Sequence, residues 1–328
     1  MNRHFASVVI ACATLISAAA VQAQSATPYP SRPVRMIVPF APGGASDFVG
    51  RIIQSRLGEE LAQQVVIDNR TGASGNIGVE IAARATPDGY TILLGNSGTM
   101  VINPGLFPKF PIRPTRDLIA VTQVVDVPGA LVVHPSVPVA SVKEFIAYAK
   151  ARPDKLNYGS AGAGSPQRLS MEYFMNQAGI KLVHIPYKGG AGAAAIAVVA
   201  GEVSAVMTSV PAVLPHVKSG KLKLLSVVSP KRLVATPETP TMVESGFPAM
   251  TTGAWQGLFT PAGTPRPIIS KLFAAAGKTM ADPEVGRRLA TGSAEIITSK
   301  SPEEFAKFVR AETDLWVKVI KDIGVVGE

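Results

Sequence analysis

Residues 34–61 read VRMIVPFAPGGASDFVGRIIQSRLGEEL. The opening VRMIVPF is an apolar run of strand length. After it, Phe48, Val49, Ile52, Ile53, Leu57 and Leu61 recur at helical spacing. A strand that gives way to an amphipathic helix at a Gly-rich bend is a βα unit, the building block of a parallel sheet. The bend holds Phe40, Pro42, Gly43, Gly44, Ser46 and Asp47. A helix start leaves backbone N–H groups unpaired at the positive end of its dipole. Glycine there lets a ligand approach the main chain, so the bend suits a carboxylate or phosphate. Phe40 and Pro42 are expected to stiffen the strand's end and Ser46 to cap the helix. Asp47 is expected to favour the dipole and order the bend.

The alternation continues. QVVID, YTILLG, IAVTQVV, ALVVH, LNYGS, KLVHIPY, VSAVMTS and LKLLSVV read as strands. Between them lie helical stretches: NIGVEIAARA, one opened by a Ser141/Glu144 capping box, one starting at Ser165-Pro166, and an Ala-rich one near 191–200. A tail holds WQGLFTP and helices near 265–281 and 302–323, the last with Ser301, Pro302 and Glu304 at N-cap, N1 and N3. Two βα series, about 34–125 and 126–250, predict an α/β fold with two mainly parallel sheets flanked by helices.

The chain has 328 residues. Residues 1–23, MNRHFASVVIACATLISAAAVQA, combine a basic start, an apolar stretch and small residues at Val21 and Ala23. This reads as a signal peptide cleaved after Ala23, which implies a periplasmic protein. Val9-Ile10-Ala11-Cys12 resembles a lipobox, but few apolar residues precede Cys12 and the apolar run continues past it. Cys12 is the sole cysteine, so the processed chain has no disulfide and must rely on its core. With 47% hydrophobic and 17% charged residues it is a globular composition. The net charge is +9, of which Arg3 contributes one. The basic residues are scattered without aromatic interleaving, so nucleic acid is not the expected partner. The excess gives a weak bias toward anions.

Bends like the first recur at Thr71–Asn76 with Ser74, at Asn96–Thr99, at Ser160–Ser165 with Gly162, and at Tyr187–Gly190 with Gly189. Each ends a strand and precedes a helix, the edge where parallel α/β sheets bind ligands. One such loop is ordinary scaffold, since any βα turn favours Gly and a capping hydroxyl. Five at one edge favour a binding cleft. Catalytic machinery is not legible. His134, His184 and His216 lack metal-ligand spacing. Gly95–Thr99 and Gly72–Asn76 each miss the last glycine of a nucleophile elbow. There is no phosphate-binding GxxxxGK[ST], and Gln167 occupies the third-glycine place of a dinucleotide fingerprint. No metal, cofactor or catalytic residue is expected.

Several longer motifs stand in order: YPSRPVRMIVPFAPGGASD, NRTGASGNIG, PDGYTILLGN, VVHPSVPVASVKEFIAYAKARPDKLNYGSAGAGS, HIPYKGGAGA and WQGLFTPAGTP. Over nearly the whole processed chain, the sequence resembles the tripartite tricarboxylate transporter receptors, the Bug family of periplasmic solute-binding proteins. The resemblance implies a type II-like two-lobed binding protein that closes on a small carboxylate, a di- or tricarboxylate or an aromatic acid, and delivers it to a tripartite membrane transporter. On that reading residues 24–125 and 254–328 form lobe one and 126–253 lobe two, and the receptor is a monomer. Ligand contacts would come from Phe40, Gly43, Gly44, Ser46, Asp47, Ser74, Asn96 and Thr99 in the first lobe. The second would supply Ser160, Gly162, Ser165, Gln167, Arg168, Tyr187, Gly189 and Thr208.

The sequence departs from its relatives in three places. Arg168 stands where a histidine is common, the helix after Gly190 lacks an aspartate, and Thr208 and Ser209 replace a frequent acid. Fewer acids and an added guanidinium argue against an amino-acid ligand and for a more anionic one. Two placements of Arg168 stay open, the cleft or the helix's outer face. So do two further functional readings, the input domain of a signalling partner and a hydrolase on an α/β scaffold.

Overall fold

A computed structural model describes residues 29–42, 45–160, 165–187, 190–250, 253–291 and 294–324. The signal peptide, its cleavage site, Gly43, Gly44, Gly162 and Gly189 lie outside the described residues.

The chain opens as expected with β1 (Val34–Val38), α1 (Ala45–Leu61), β2 (Val65–Asn69), α2 (Asn76–Ala83) and β3 (Thr91–Asn96). A π-helical turn at Gly98–Ile102 leads into α3 (Asn103–Leu106), α4 (Pro114–Asp117) and β4 (Leu118–Asp126). Then follow β5 (Gly129–Val133), α5 (Val142–Lys150), β6 (Asn157–Ser160), α6 (Pro166–Ala178) and β7 (Val183–Pro186). Next are α7 (Gly190–Val199), β8 (Ala205–Ser209), α8 (Val210–Lys218) and β9 (Lys223–Val228). The tail forms β10 (Gln256–Pro261), α9 (Arg266–Ala281), α10 (Pro283–Thr291), β11 (Glu295–Ile296) and α11 (Pro302–Ile323). The capping serines work as read: Ser141, Ser165 and Ser301 each accept from the backbone N–H three residues on.

The strands form a six-stranded sheet, β11-β4-β10-β3-β1-β2, and a five-stranded sheet, β7-β6-β8-β5-β9. Both are mixed rather than mainly parallel. The βα units pair in parallel, β1 with β2 and β3, and β6 with β7 and β8. The strands next to the crossings between sheets run the other way: β10 against β3 and β4, and β5 against β8 and β9. A crossing connection does not return its strand to the same edge, so it is free of the helical crossover that parallel neighbours require.

Apolar clusters pack on both faces of each sheet, leaving the edge strands β2 and β7 partly exposed. Val34, Met36 and Val38 of β1 pack with α1 and α9, whereas Ile37 faces the cluster of α2, α3 and α11. The tail is pinned to the first sheet by a knot of rings in which Trp255 lies 5.6 Å from both Phe305 and Phe308. Gly257 makes room for it: a Cβ there would stand 2.3 Å from Phe305 Cζ. Further along α11, Trp316 meets Tyr173 of α6 at 6.2 Å, so this helix touches both lobes.

Candidate functional site

The C-terminal ends of β1 and β3 bring the first-lobe residues together. Asp47, 3% exposed, accepts from Arg51 Nε at 2.8 Å and Asn69 Nδ2 at 3.1 Å. Asn69 also donates to Phe40 O at 2.9 Å, so Asp47 orders the bend through Asn69. Ser46 does not cap α1. The helix begins one residue earlier, and Ser46 Oγ instead accepts from Asn96 Nδ2 at 3.4 Å. Asn96 and Thr99 form a closed turn, with Thr99 N donating to Asn96 Oδ1 at 3.0 Å and Asn96 N to Thr99 Oγ1 at 3.2 Å. Gly75 fits between Phe40 and Thr99, since a Cβ there would stand 2.5 Å from Thr99 Cγ2 and 3.2 Å from Phe40 Cζ. Ser74 stands next to Gly75 at φ 56°, its carbonyl held by Asn103 Nδ2 at 3.0 Å.

In the second lobe the predicted residues divide. Ser165 caps α6, and Gln167 and Thr208 face the first lobe. Gln167 and Thr208 line a cavity between the lobes with Ser97, Ser170, Ser209 and Trp316. Thr208 is 4% exposed and its Oγ1 has no hydrogen-bond partner. Ser160 and Arg168 join a separate polar network. Ser160 Oγ lies 2.6 Å from His184 Nε2, and the His184 ring packs on Tyr158 at 5.0 Å. Tyr158 OH donates to Glu172 Oε1 at 2.7 Å, and Arg168 Nε reaches the same oxygen at 3.5 Å. Arg168 thus pairs with Glu172 one turn on in α6, and it is Gln167, not Arg168, that lines the cavity. Tyr187 joins the Ser160 network through its main chain, its N–H donating to Ser160 O at 2.9 Å, while its hydroxyl donates to Glu202 at 3.1 Å.

Burial, followed by the Arg168 guanidinium, holds the His184 imidazole below its ordinary pKa. Burial and the Glu172 carboxylate raise the Tyr158 phenol. The cavity-lining side chains are uncharged: hydroxyls, an amide and apolar groups. Such a surface offers hydrogen-bond donors and acceptors and no full charge of either sign. A wider depression beside α1 and β2 is lined by Arg51, Glu59 and Gln63 and takes in none of the predicted ligand residues. Among the described residues no group of three His, Cys, Asp or Glu could hold a metal, and no helix is long and apolar enough to cross a membrane.

Sequence reasoning did not single out Ser97, Ser170, Ser209 or Trp316 as site residues. Ser97 and Ser209 flank predicted ones, and their position at strand ends was a usable signal. Trp316 sits mid-helix in the tail, and nothing in its sequence neighbourhood points to the second lobe.

Two helix-flanked mixed sheets with a cavity between them are the architecture of a periplasmic solute-binding protein, shared with solved structures of that class. Residues 49–325 match the model of the tripartite tricarboxylate transporter family receptors, and the chain belongs to that family of solute receptors. It is 35% identical over 325 residues to protein BugT of Bordetella pertussis, covering 99% of this chain and 98% of that one. It is similar to MatC of Rhodopseudomonas palustris, solved with bound malate, at 33% identity and TM-score 0.78, covering 89% and 100% of the two chains. It is also similar to Rpa4515 of R. palustris, solved with adipate, at 34% identity and TM-score 0.80, covering 91% and 99%.

Proposed function

We propose that this chain is a periplasmic receptor, processed after Ala23, that closes on a small aliphatic di- or tricarboxylate and delivers it to a tripartite membrane transporter. The observation that carries the ligand class is the uncharged cavity, in which hydroxyls and one amide stand among apolar groups and Thr208 Oγ1 is buried without a partner. Malate in MatC and adipate in Rpa4515 are dicarboxylates and support the same reading. Catalysis is not part of it. The first lobe is taken as residues 24–125 with 254–328 and the second as 126–253. The hinge would be the pair of crossing segments at 126–129 and 253–256, where Ala254 N donates to Val127 O at 2.9 Å. Gly43, Gly44, Gly162 and Gly189 complete the proposed ligand loops with backbone N–H groups.

A thermal-shift series on purified processed protein tests this. Malate, adipate and citrate are set against benzoate and glutamate, because a ligand bound only by the folded state raises the midpoint by mass action. The expected result is a shift with one or more of the first three. A shift with glutamate alone would reverse the ligand assignment.

A further inference from the structure

Asp126 ends β4 and is the last residue of the first sheet before the chain crosses to β5. Its side chain is 3% exposed. Oδ2 accepts from Gly253 N at 3.3 Å, on the segment returning from the second sheet. Oδ1 is buried with no hydrogen-bond partner. The two crossing segments are packed closely around this acid: a Cβ on Gly253 would stand 2.0 Å from Val127 O. The acid therefore lies between the two connections that any relative motion of the lobes must bend.

The charged groups that bear on it are also acidic. Glu295 of β11 is its cross-strand partner in register, and Glu312 faces it from α11. Lys231, which follows β9, pairs with Glu295 at 3.8 Å rather than with Asp126. An ionised carboxylate in this place would have one desolvated, unpaired oxygen and two like charges nearby, which is costly. A neutral acid avoids both terms.

We propose that Asp126 is a proton-operated latch of the hinge: as a neutral acid it is accommodated between the crossing segments and holds the lobes together, and as a carboxylate it favours the open form. Burial pushes its carboxyl up to about 7; the N–H groups of Gly253 and Val127 oppose this, and Glu295 and Glu312 add to it. Opening admits water and returns the group toward an ordinary carboxylate. The closed form thus binds the proton more tightly than the open or unfolded form. Its advantage is complete below the ordinary carboxylate range and is lost as pH rises through about 7.

The inference rests on the lobe closure proposed above. The test measures radius of gyration by X-ray scattering and thermal midpoint for the processed protein between pH 5 and 8.5, with and without malate. Wild type is expected to be more compact and more stable at pH 5 than at pH 8.5. Asp126→Asn, which mimics the neutral acid, is expected to lose both trends. Glu312→Gln, which removes one neighbouring negative charge, is expected to move both midpoints to lower pH, a result that does not depend on how Asp126→Asn folds. Malate-driven compaction with equal pH profiles in wild type and Asp126→Asn overturns the latch and leaves the receptor reading intact. Absence of compaction under every condition overturns both.

Discussion

Gly98 and Pro166 meet across the lobes: a Cβ on the glycine would stand 3.1 Å from Pro166 Cγ and 3.2 Å from Asn96 Oδ1. Gly98 opens the π-helical turn after β3, and Pro166 is the first residue of α6. The contact borders the cavity lined by Ser97 and Gln167. A valine at 98 would drive its methyl groups into this seam. Gly98→Val is expected to leave the fold stable and to weaken a closure-dependent ligand about tenfold, roughly 1.4 kcal/mol. Calorimetric titration beside a thermal melt checks it; unchanged affinity would show that closure does not use this seam.

What the sequence made legible follows from what local chemistry fixes. Strand-to-helix bends, capping serines and the alternation of apolar runs are local, and Ser141, Ser165 and Ser301 cap as their spacing required. The antiparallel direction of β10 is not local, because it depends on where the chain returns from. The short α10 and two-residue β11 escaped for a similar reason, since β11 exists only by pairing with β4. In the cleft, hydroxyl-bearing loops could be found by pattern. The partition that sends Gln167 to the cavity and Arg168 to the Tyr158 network depends on which way successive side chains leave one helix turn.

Phe305 closes the ring cluster that fastens the tail helix to β10, and it is fully buried. Phe305→Ala should cost about 3–5 kcal/mol, the range for removing a buried ring and leaving its space unfilled. Gly257→Ala should also destabilise, because its methyl would meet that ring and stand 2.9 Å from Thr122 O. Urea unfolding of the two single variants and the double variant checks both. The double variant is expected to be better than the sum of the singles, since removing the ring relieves the clash.

Asp47 organises the first bend from beneath. Asp47→Ala would leave Asn69 with Phe40 O alone and remove the partner of Arg51. The expected cost is about 1.5–3 kcal/mol, the range for losing hydrogen bonds to a charged group. Asp47→Asn keeps an acceptor for Asn69 and should recover part of it. Urea midpoints of both variants decide. If the alanine variant matches wild type, the bend is ordered by something other than this carboxylate.

Arg168 and His184 belong to one network, which gives a prediction with a defined sign. The folded pKa of His184 is depressed, first by burial and then by Arg168. Its contribution to stability is therefore complete above the ordinary histidine range and lost as pH falls through the depressed value. Arg168→Ala removes one of the two depressing causes. The His184 titration midpoint, followed by NMR, should rise, and the stability lost on acidification should shrink. Affinities for a dicarboxylate and for the matching monocarboxylate should change alike, because Arg168 pairs with Glu172 and is not among the residues that line the cavity. Loss confined to the dicarboxylate, with an unmoved His184 midpoint, would instead place the guanidinium on the ligand's second carboxylate.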